Sequence, residues 1–574
     1  MRRLLIYLKD YKKETFLGPL FKLLEASFEL MVPLVIASMI DKGIANADES
    51  HIIKMALILL LLCAVGFGSA VTAQFFAARA AAGFAKKVKR ALFDNIQKLS
   101  FADMDRVGTS AMITRMTSDM NQVQQGVNMT IRLLLRSPMV VFGALIMAFT
   151  IDARIALIFL VTIILLFAVV GLIMGWSIPR YGHIQSGLDK VLMLTRENHT
   201  GVRVIRAFGL EKDEKDRFHN ENDILENLQE HVGKITALLN PVTFAILNLA
   251  VVILIYRGAI YVNTGELTQG QVVALYNYMA QILVELIKFA NLIITVTKAV
   301  ASGNRISELL ELTPSMKDGE AKEFAASDET VRFDHVFQRY EKDSEDSLSD
   351  ISFTAKKGQK IGIIGGTGSG KSTLINLIPR FYDVKEGAVY VNGRNVKDYR
   401  QDFLREHIGI VPQKAVLFHG TIRDNLKWGK NDATDEEIYE ALKTAQAYEI
   451  VMGKEGGLDA KVSQGGKNFS GGQKQRLTIA RALVRHPEIL ILDDSASALD
   501  YLTDKNLREA IAAMDNPPTT FIVSQRTSAV QNCDIIIVLE DGHVAGMGKH
   551  EELLDTCELY REIYDSQFKK EGAV

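Results

Sequence analysis

At 574 residues the chain is too long for one folded unit and should divide into several. Its 66 Lys and Arg against 68 Asp and Glu leave a net charge of −2, so no whole-chain field draws it to nucleic acid or to an acidic partner. The three cysteines, Cys63, Cys533 and Cys557, are too scattered for a disulfide framework or a zinc site and read as inert thiols in a reducing compartment.

The N-terminal stretch Met1 to Lys13 has no apolar core or small-residue cleavage site, so it reads as a basic amphipathic helix lying on a membrane surface rather than a cleaved signal. Six apolar stretches near the ~20 residues needed to span hydrocarbon follow. They fall at about 15–40, 55–82, 129–151, 155–178, 238–262 and 272–299. The two long polar gaps, 86–127 and 180–233, come after the second and fourth spans, which puts both on one side of the membrane. That side carries Lys86, Lys87, Lys89, Arg90, Arg203, Arg206, Lys212 and Lys215, whereas the opposite loops 41–49 and 263–268 carry only Lys42. The excess of positive charge makes the gaps and both termini cytoplasmic, in a multi-pass plasma membrane protein. Apolar spacing at Ala91, Ile96 and Leu99, and again at Val202, Ile205 and Phe208, predicts that the gaps are helical extensions.

After Leu312 the stretch 313–320 reads as a turn-rich linker. From about Val331 short β-rich runs alternate with helical ones, as in an α/β domain with a largely parallel sheet. The expected division is a membrane domain over 1–315, a linker over 316–330 and an α/β domain over 331–574.

Directly after the predicted strand 360–364 comes Gly365-Gly366-Thr367-Gly368-Ser369-Gly370-Lys371-Ser372, with Thr373 beside it. This is a G-x-x-x-x-G-K-S phosphate loop, whose glycines let backbone N–H groups close around phosphates. Lys371 is expected to hold the β and γ phosphates of ATP, and the Ser372 hydroxyl to hold Mg²⁺. The apolar run 489–492 ends in Asp493, a carboxylate placed to reach the magnesium shell at the carboxyl edge of a sheet. Between them stands Phe469-Ser470-Gly471-Gly472-Gln473.

That last element resembles the signature sequence of ATP-binding-cassette proteins, and the order of six spans ahead of one cassette is similar to the family's exporter half-transporters. The resemblance implies an α-helical membrane domain fused to an α/β P-loop cassette, ATP and Mg²⁺ as cofactors, and a site shared between two chains. In it Tyr340 corresponds to the aromatic that stacks on adenine, Gln413 to the glutamine that reaches Mg²⁺, and Ser497 to Asp500 to the loop crossing between cassettes. Ser470, Gly471, Gly472 and Gln473 would close on the ATP of the second chain. The cytoplasmic extensions resemble coupling helices, with tips expected at 100–106 and 200–210.

Three positions depart from the family pattern, two of them at the hydrolytic centre. Asp494 stands where a Glu polarises the attacking water, and Gln525 where a His contacts the γ phosphate; Gln464, ahead of the signature, also replaces an acidic residue. Asp is one methylene shorter than Glu, and Gln has no accessible protonation change. Together they resemble the degenerate half of a bacterial heterodimeric multidrug exporter, with an amphipathic small molecule as substrate. A lipid or peptide exporter, a slow homodimer, and a regulatory ATP-binding subunit are the competing readings. Within the spans, Glu25 with Glu29 and Glu285 with Lys288 each share a helix face, which suits a cavity for cationic or amphipathic solutes, a buried ion pair or placement at the membrane interface.

Overall fold

A computed structural model of the chain describes residues 1–340, 345–495 and 498–568. These residues form two units, Met1–Gln97 with Gly108–Leu312, and Lys98–Val107 with Thr313–Val574.

The first unit contains six helices long and apolar enough to cross a membrane: Arg3–Ile44, Glu49–Ile96, Thr109–Ile151, Ala153–Phe208, Glu211–Asn263 and Gln269–Glu311. Their apolar side chains point outward as well as inward, with Leu60 and Phe67 of the second helix 69% and 71% exposed. In water such a surface would be an aggregation site, whereas hydrocarbon matches it. Polar groups mark the helix ends. The Asp48 carboxylate accepts from His51 N–H at 3.0 Å, and Thr268 and Gln271 cap each other reciprocally.

The polar gaps are continuations of the spans, as the apolar spacing predicts. The second helix runs on to Ile96 and the fourth to Phe208. A separate helix, Phe101–Val107, forms at the first expected tip. None forms over 200–210, where the long helix instead ends at Gly209, whose left-handed φ of 66° permits the turn into the helix beginning at Glu211.

The intramembrane charges are ion-paired. Arg136, which is 6% exposed, donates to Glu29 Oε2 at 2.7 Å and pairs with Glu285 and Glu25. Lys288 closes on Glu285 at 2.7 Å and Lys22 on Glu25 at 2.6 Å. Three carboxylates thus face three cations in one network. This is the buried ion-pair alternative, with Arg136 and Lys22 as the partners that sequence reading missed. A charge in hydrocarbon demands such a partner.

In the second unit a six-stranded sheet runs in the order His543–Gly548, Ile535–Glu540, Lys360–Gly365, Thr519–Val523, Ile489–Asp493, Ile408–Val411. Its pairings are parallel except at the His543–Gly548 edge. A four-stranded sheet orders Leu348–Lys356, Glu329–Gln338, Glu386–Val391 and Arg394–Asn395 with antiparallel pairing. The parallel strands are continuous apolar runs because both faces are covered: Ile361, Ile363, Ile489 and Phe521 join one core, and Ile364, Leu490, Leu492 and Ile522 another. Such a sheet gathers the loops after its strands along one carboxyl edge.

Candidate functional site

The phosphate loop leaves the strand Lys360–Gly365 and enters the helix Lys371–Leu377. Gly368 and Gly370 adopt φ of 89° and 94°, conformations that residues with a Cβ rarely take. A side chain at Gly370 would also meet the Ser347 carbonyl at 2.6 Å, whereas one at Gly366 or Gly368 would project into open space. The loop is therefore a cradle with bare backbone on its inner side. Lys371 Nζ donates to the carbonyls of Gly365, at 2.9 Å, and Gly366. A cleft of about 650 Å³ opens over Gly368, Gly370, Lys371, Ser372 and Thr373 and is bounded by Asp541 and Gly542.

Asp493 ends the strand Ile489–Asp493 and approaches the Ser372 hydroxyl, which donates to its Oδ2 at 3.4 Å. Burial pushes the Asp493 carboxyl above its usual range, and neighbouring Asp494 adds to the rise against the pull of Ser372 and Lys371. Burial likewise lowers Lys371, with Asp493 and Asp494 opposing it. A hydroxyl and an ionisable carboxylate so placed suit a hard divalent cation that keeps water and phosphate oxygens as its other ligands. Gln413 lies just past the strand Ile408–Val411, is exposed, and belongs to the same sheet edge, since Val411 pairs with Leu492.

The two departed positions, Asp494 and Gln525, follow the ends of two adjacent strands. Asp493 pairs with Val523, and Asp494 N–H donates to the Val523 carbonyl at 3.0 Å, two residues before Gln525. Asp494 itself has a left-handed backbone, φ 44°. Gln525 is exposed, and its carbonyl accepts from Gln567 Nε2 at 2.8 Å. The Gln567 Oε1 accepts from both the N–H and the hydroxyl of Thr527 at 2.9 Å. The C-terminal helix Glu558–Phe568 thus grips the segment on both sides of its last exposed residue, a contact with no sequence signal.

The signature residues begin the helix Gly471–Leu483. Ser470 is its N-cap and forms a capping box with Gln473, which leaves the exposed helix start with outward N–H groups. A Cβ at Gly472 would meet the Ala498 carbonyl at 2.9 Å, so the helix start packs directly against the following loop. Of that loop, Ser497 lies outside the described residues, and Asp500 caps the helix Tyr501–Ala512. Gln464 is exposed in a short turn ahead of the signature. Tyr340 is 48% exposed, and its hydroxyl donates to Thr373 Oγ1 at 3.1 Å, which ties the aromatic to the phosphate loop.

Comparison with known proteins agrees with this geometry. Residues 15–286 match the ABC transporter transmembrane region and residues 348–497 the ABC transporter domain. The chain is 36% identical, over its full length and that of the relative, to an uncharacterized ABC transporter ATP-binding protein, YfiB, of Bacillus subtilis strain 168. The chain belongs to the ABC transporter family. A second relative in the same strain, the putative multidrug export ATP-binding/permease protein YgaD, is 32% identical over 99% of both chains. The solved structure of a bacterial Atm1-family ABC exporter with ATP bound shares the fold, with a TM-score of 0.80 at 23% identity over 98% of this chain and 99% of that one. The chain is an ABC exporter half: a multi-pass membrane domain fused to one ATP-binding cassette, of a kind that dimerises and couples ATP hydrolysis to transport.

Proposed function

We propose that this chain is the ATP-holding half of a heterodimeric exporter of amphipathic small molecules, with both termini cytoplasmic. The proposed division is a membrane domain over 1–315, a linker over 316–330 and a cassette over 331–574. The carrying observation is the pairing of Asp494 with the segment of Gln525 at the end of two adjacent strands, beside a complete phosphate loop. Binding groups are all present while both hydrolytic positions are altered.

In this reading Tyr340 stacks the base, Lys371 and the loop Gly365 to Thr373 hold the phosphates, and Ser372, Asp493 and Gln413 hold Mg²⁺. The bound ion would supply charge neutralisation at the phosphates. Asp494 is short of the distance at which a Glu holds a water, and a misplacement of about 1 Å costs on the order of 100-fold in rate. Gln525 donates a hydrogen bond without gaining charge. Ser470, Gly471, Gly472 and Gln473 serve the site of the second half-transporter, where hydrolysis proceeds. The amphipathic substrate rests on the likeness to the multidrug-type relative and on the six spans.

The test is the Mg²⁺-dependent ATPase of the purified chain alone. It should bind ATP yet turn over about 100-fold more slowly than when paired with a half-transporter bearing Glu and His at the two positions. Rapid turnover by the chain alone, abolished by Asp494→Asn, would show that Asp494 is a competent base.

A further inference from the structure

The helix Phe101–Val107 lies between the second and third spans in sequence, yet it belongs to the unit that carries the phosphate loop. Its Phe101 ring packs on Phe381 at 4.5 Å. Its Asp105 accepts from the Tyr382 hydroxyl through Oδ2 at 2.7 Å. The Tyr382 ring meets the Tyr340 ring edge-on at 5.1 Å, and Tyr340 is anchored to Thr373. A chain of contacts therefore runs from the phosphate loop through two aromatic rings to one carboxylate. Asp105, Arg106, Tyr340 and Tyr382 line a single cavity of about 880 Å³.

Tyr340 presents a flat apolar face on which a nucleobase can stack, but a π-face accepts every base. Selection needs a directional group at the base edge. An ionised carboxylate is an acceptor only. One oxygen of Asp105 is taken by Tyr382, and the other, Oδ1, makes no hydrogen bond among the described residues. With the phosphates held at Lys371 and the ring on Tyr340, adenine offers a carboxylate the two protons of its exocyclic amine. Guanine offers a carbonyl oxygen at the same ring position, and two acceptors repel.

We propose that Asp105 reads the 6-amino group of the base, so that a residue of the helix between the second and third spans selects adenine over guanine nucleotides at this site. Tyr382 is the positioning residue that orients the carboxylate by its hydrogen bond. The proposal rests on the nucleotide-binding reading given above.

The experiment measures dissociation constants of the full-length chain for ATP, GTP and purine riboside triphosphate, which lacks the amine, by competition with a fluorescent ATP analogue. A hydrogen bond to a charged group at a partly exposed edge corresponds to about tenfold. The intact chain should therefore bind ATP about tenfold more tightly than either competitor. Asp105→Ala should bring the three constants together. Asp105→Asn, whose amide can also donate to a carbonyl, should do so by tightening GTP. Equal affinity of the intact chain for ATP and purine riboside triphosphate would overturn the proposal, and that arm needs no variant to fold. So would an ATP-to-GTP ratio unchanged by Asp105→Ala, or a GTP constant weakened more than that of ATP. Lys371→Ala separates the two failures. If it weakens all three nucleotides while the ratio stays at one, the base reading alone is wrong; if it weakens none, the phosphate-loop reading is wrong.

Discussion

The Asp103 carboxylate accepts from both the N–H and the hydroxyl of Ser315, at 2.9 and 3.1 Å, joining a residue after the second span to one after the sixth. The N–H and hydroxyl of Ser100 donate to the same oxygen, at 3.3 and 2.7 Å. Asp103 is 3% exposed, so each bond is made where water competes poorly. This one side chain both starts the helix Phe101–Val107 and fastens it to the segment that follows Leu312.

Asp103→Ala should therefore release 98–107, at a cost of about 1–3 kcal/mol for the donors left without a partner. Hydrogen exchange should quicken over 100–107 while the helix Lys371–Leu377 keeps its protection. Burial would raise the carboxyl, but the bonds from Ser315 and Ser100 prevail and hold it below its ordinary value of 3.8. A depressed carboxyl stabilises above its unfolded value and loses that contribution as pH falls through the folded one. Protection of the segment should be flat from pH 7 to pH 5 and fall only under strongly acid conditions. A loss near neutral pH would show that another group holds it.

Arg136 and Glu285 make a second prediction. Arg136→Ala leaves Glu285, 2% exposed, short of its main cation, and breaking a buried pair from one side costs about 3–5 kcal/mol. The purified variant should melt well below the parent in detergent. Glu29→Gln should cost much less, because the Glu29 side chain is 38% exposed and Gln still accepts from the guanidinium. Equal melting of the two variants would mean that the network is not centred on Arg136.

The signature helix gives a third. Ser470→Ala removes the cap that Gln473 N–H uses, and Gly471→Asp places a carboxylate at an exposed helix start proposed to face a partner's phosphates. Either change should sharply reduce turnover of the assembled pair while nucleotide binding at this chain's own loop is kept. Unchanged ATPase and transport with both substitutions would sink the assignment of the signature to the partner's site.

Gln567 gives a fourth, independent of any partner's identity. Gln567→Ala removes three hydrogen bonds from the segment 525–527 and should speed amide exchange there. Gln567→Glu keeps the acceptor for Thr527 but places a carboxylate against the Gln525 carbonyl, so it should restore protection at the Thr527 N–H only in part. Identical exchange in all three proteins would show that the helix Glu558–Phe568 leaves the segment unconstrained.

Much of this was legible because local chemistry dictated it. The six apolar lengths and the glycines and Lys371 of the phosphate loop follow from rules acting within a few residues, whereas Ser470 to Gln473 stand out by family resemblance and their capping box comes only with the structure. What escaped required contacts between distant positions. Asp103 and Ser315 are 212 apart, and Gln525 and Gln567 are 42 apart, with no periodicity to link them. Arg136 lies within the first half of the 129–151 stretch, where a snorkelling arginine gives the same sequence signal as a paired one. The tip expected at 200–210 is the end of the long helix itself, because the apolar spacing there continues that of the span and the break comes only at Gly209.

The central claim is that this chain's pocket holds ATP while the partner's hydrolyses it. Its most direct test is the steady-state ATPase of the co-expressed pair carrying Asp494→Glu in this chain alone. Restoring one carboxylate beside Gln525 should leave turnover within about twofold of the parent, because the γ-phosphate contact is still altered. A severalfold rise would show that the pocket lacked only its base, and would contradict the division into a holding site and a hydrolysing site.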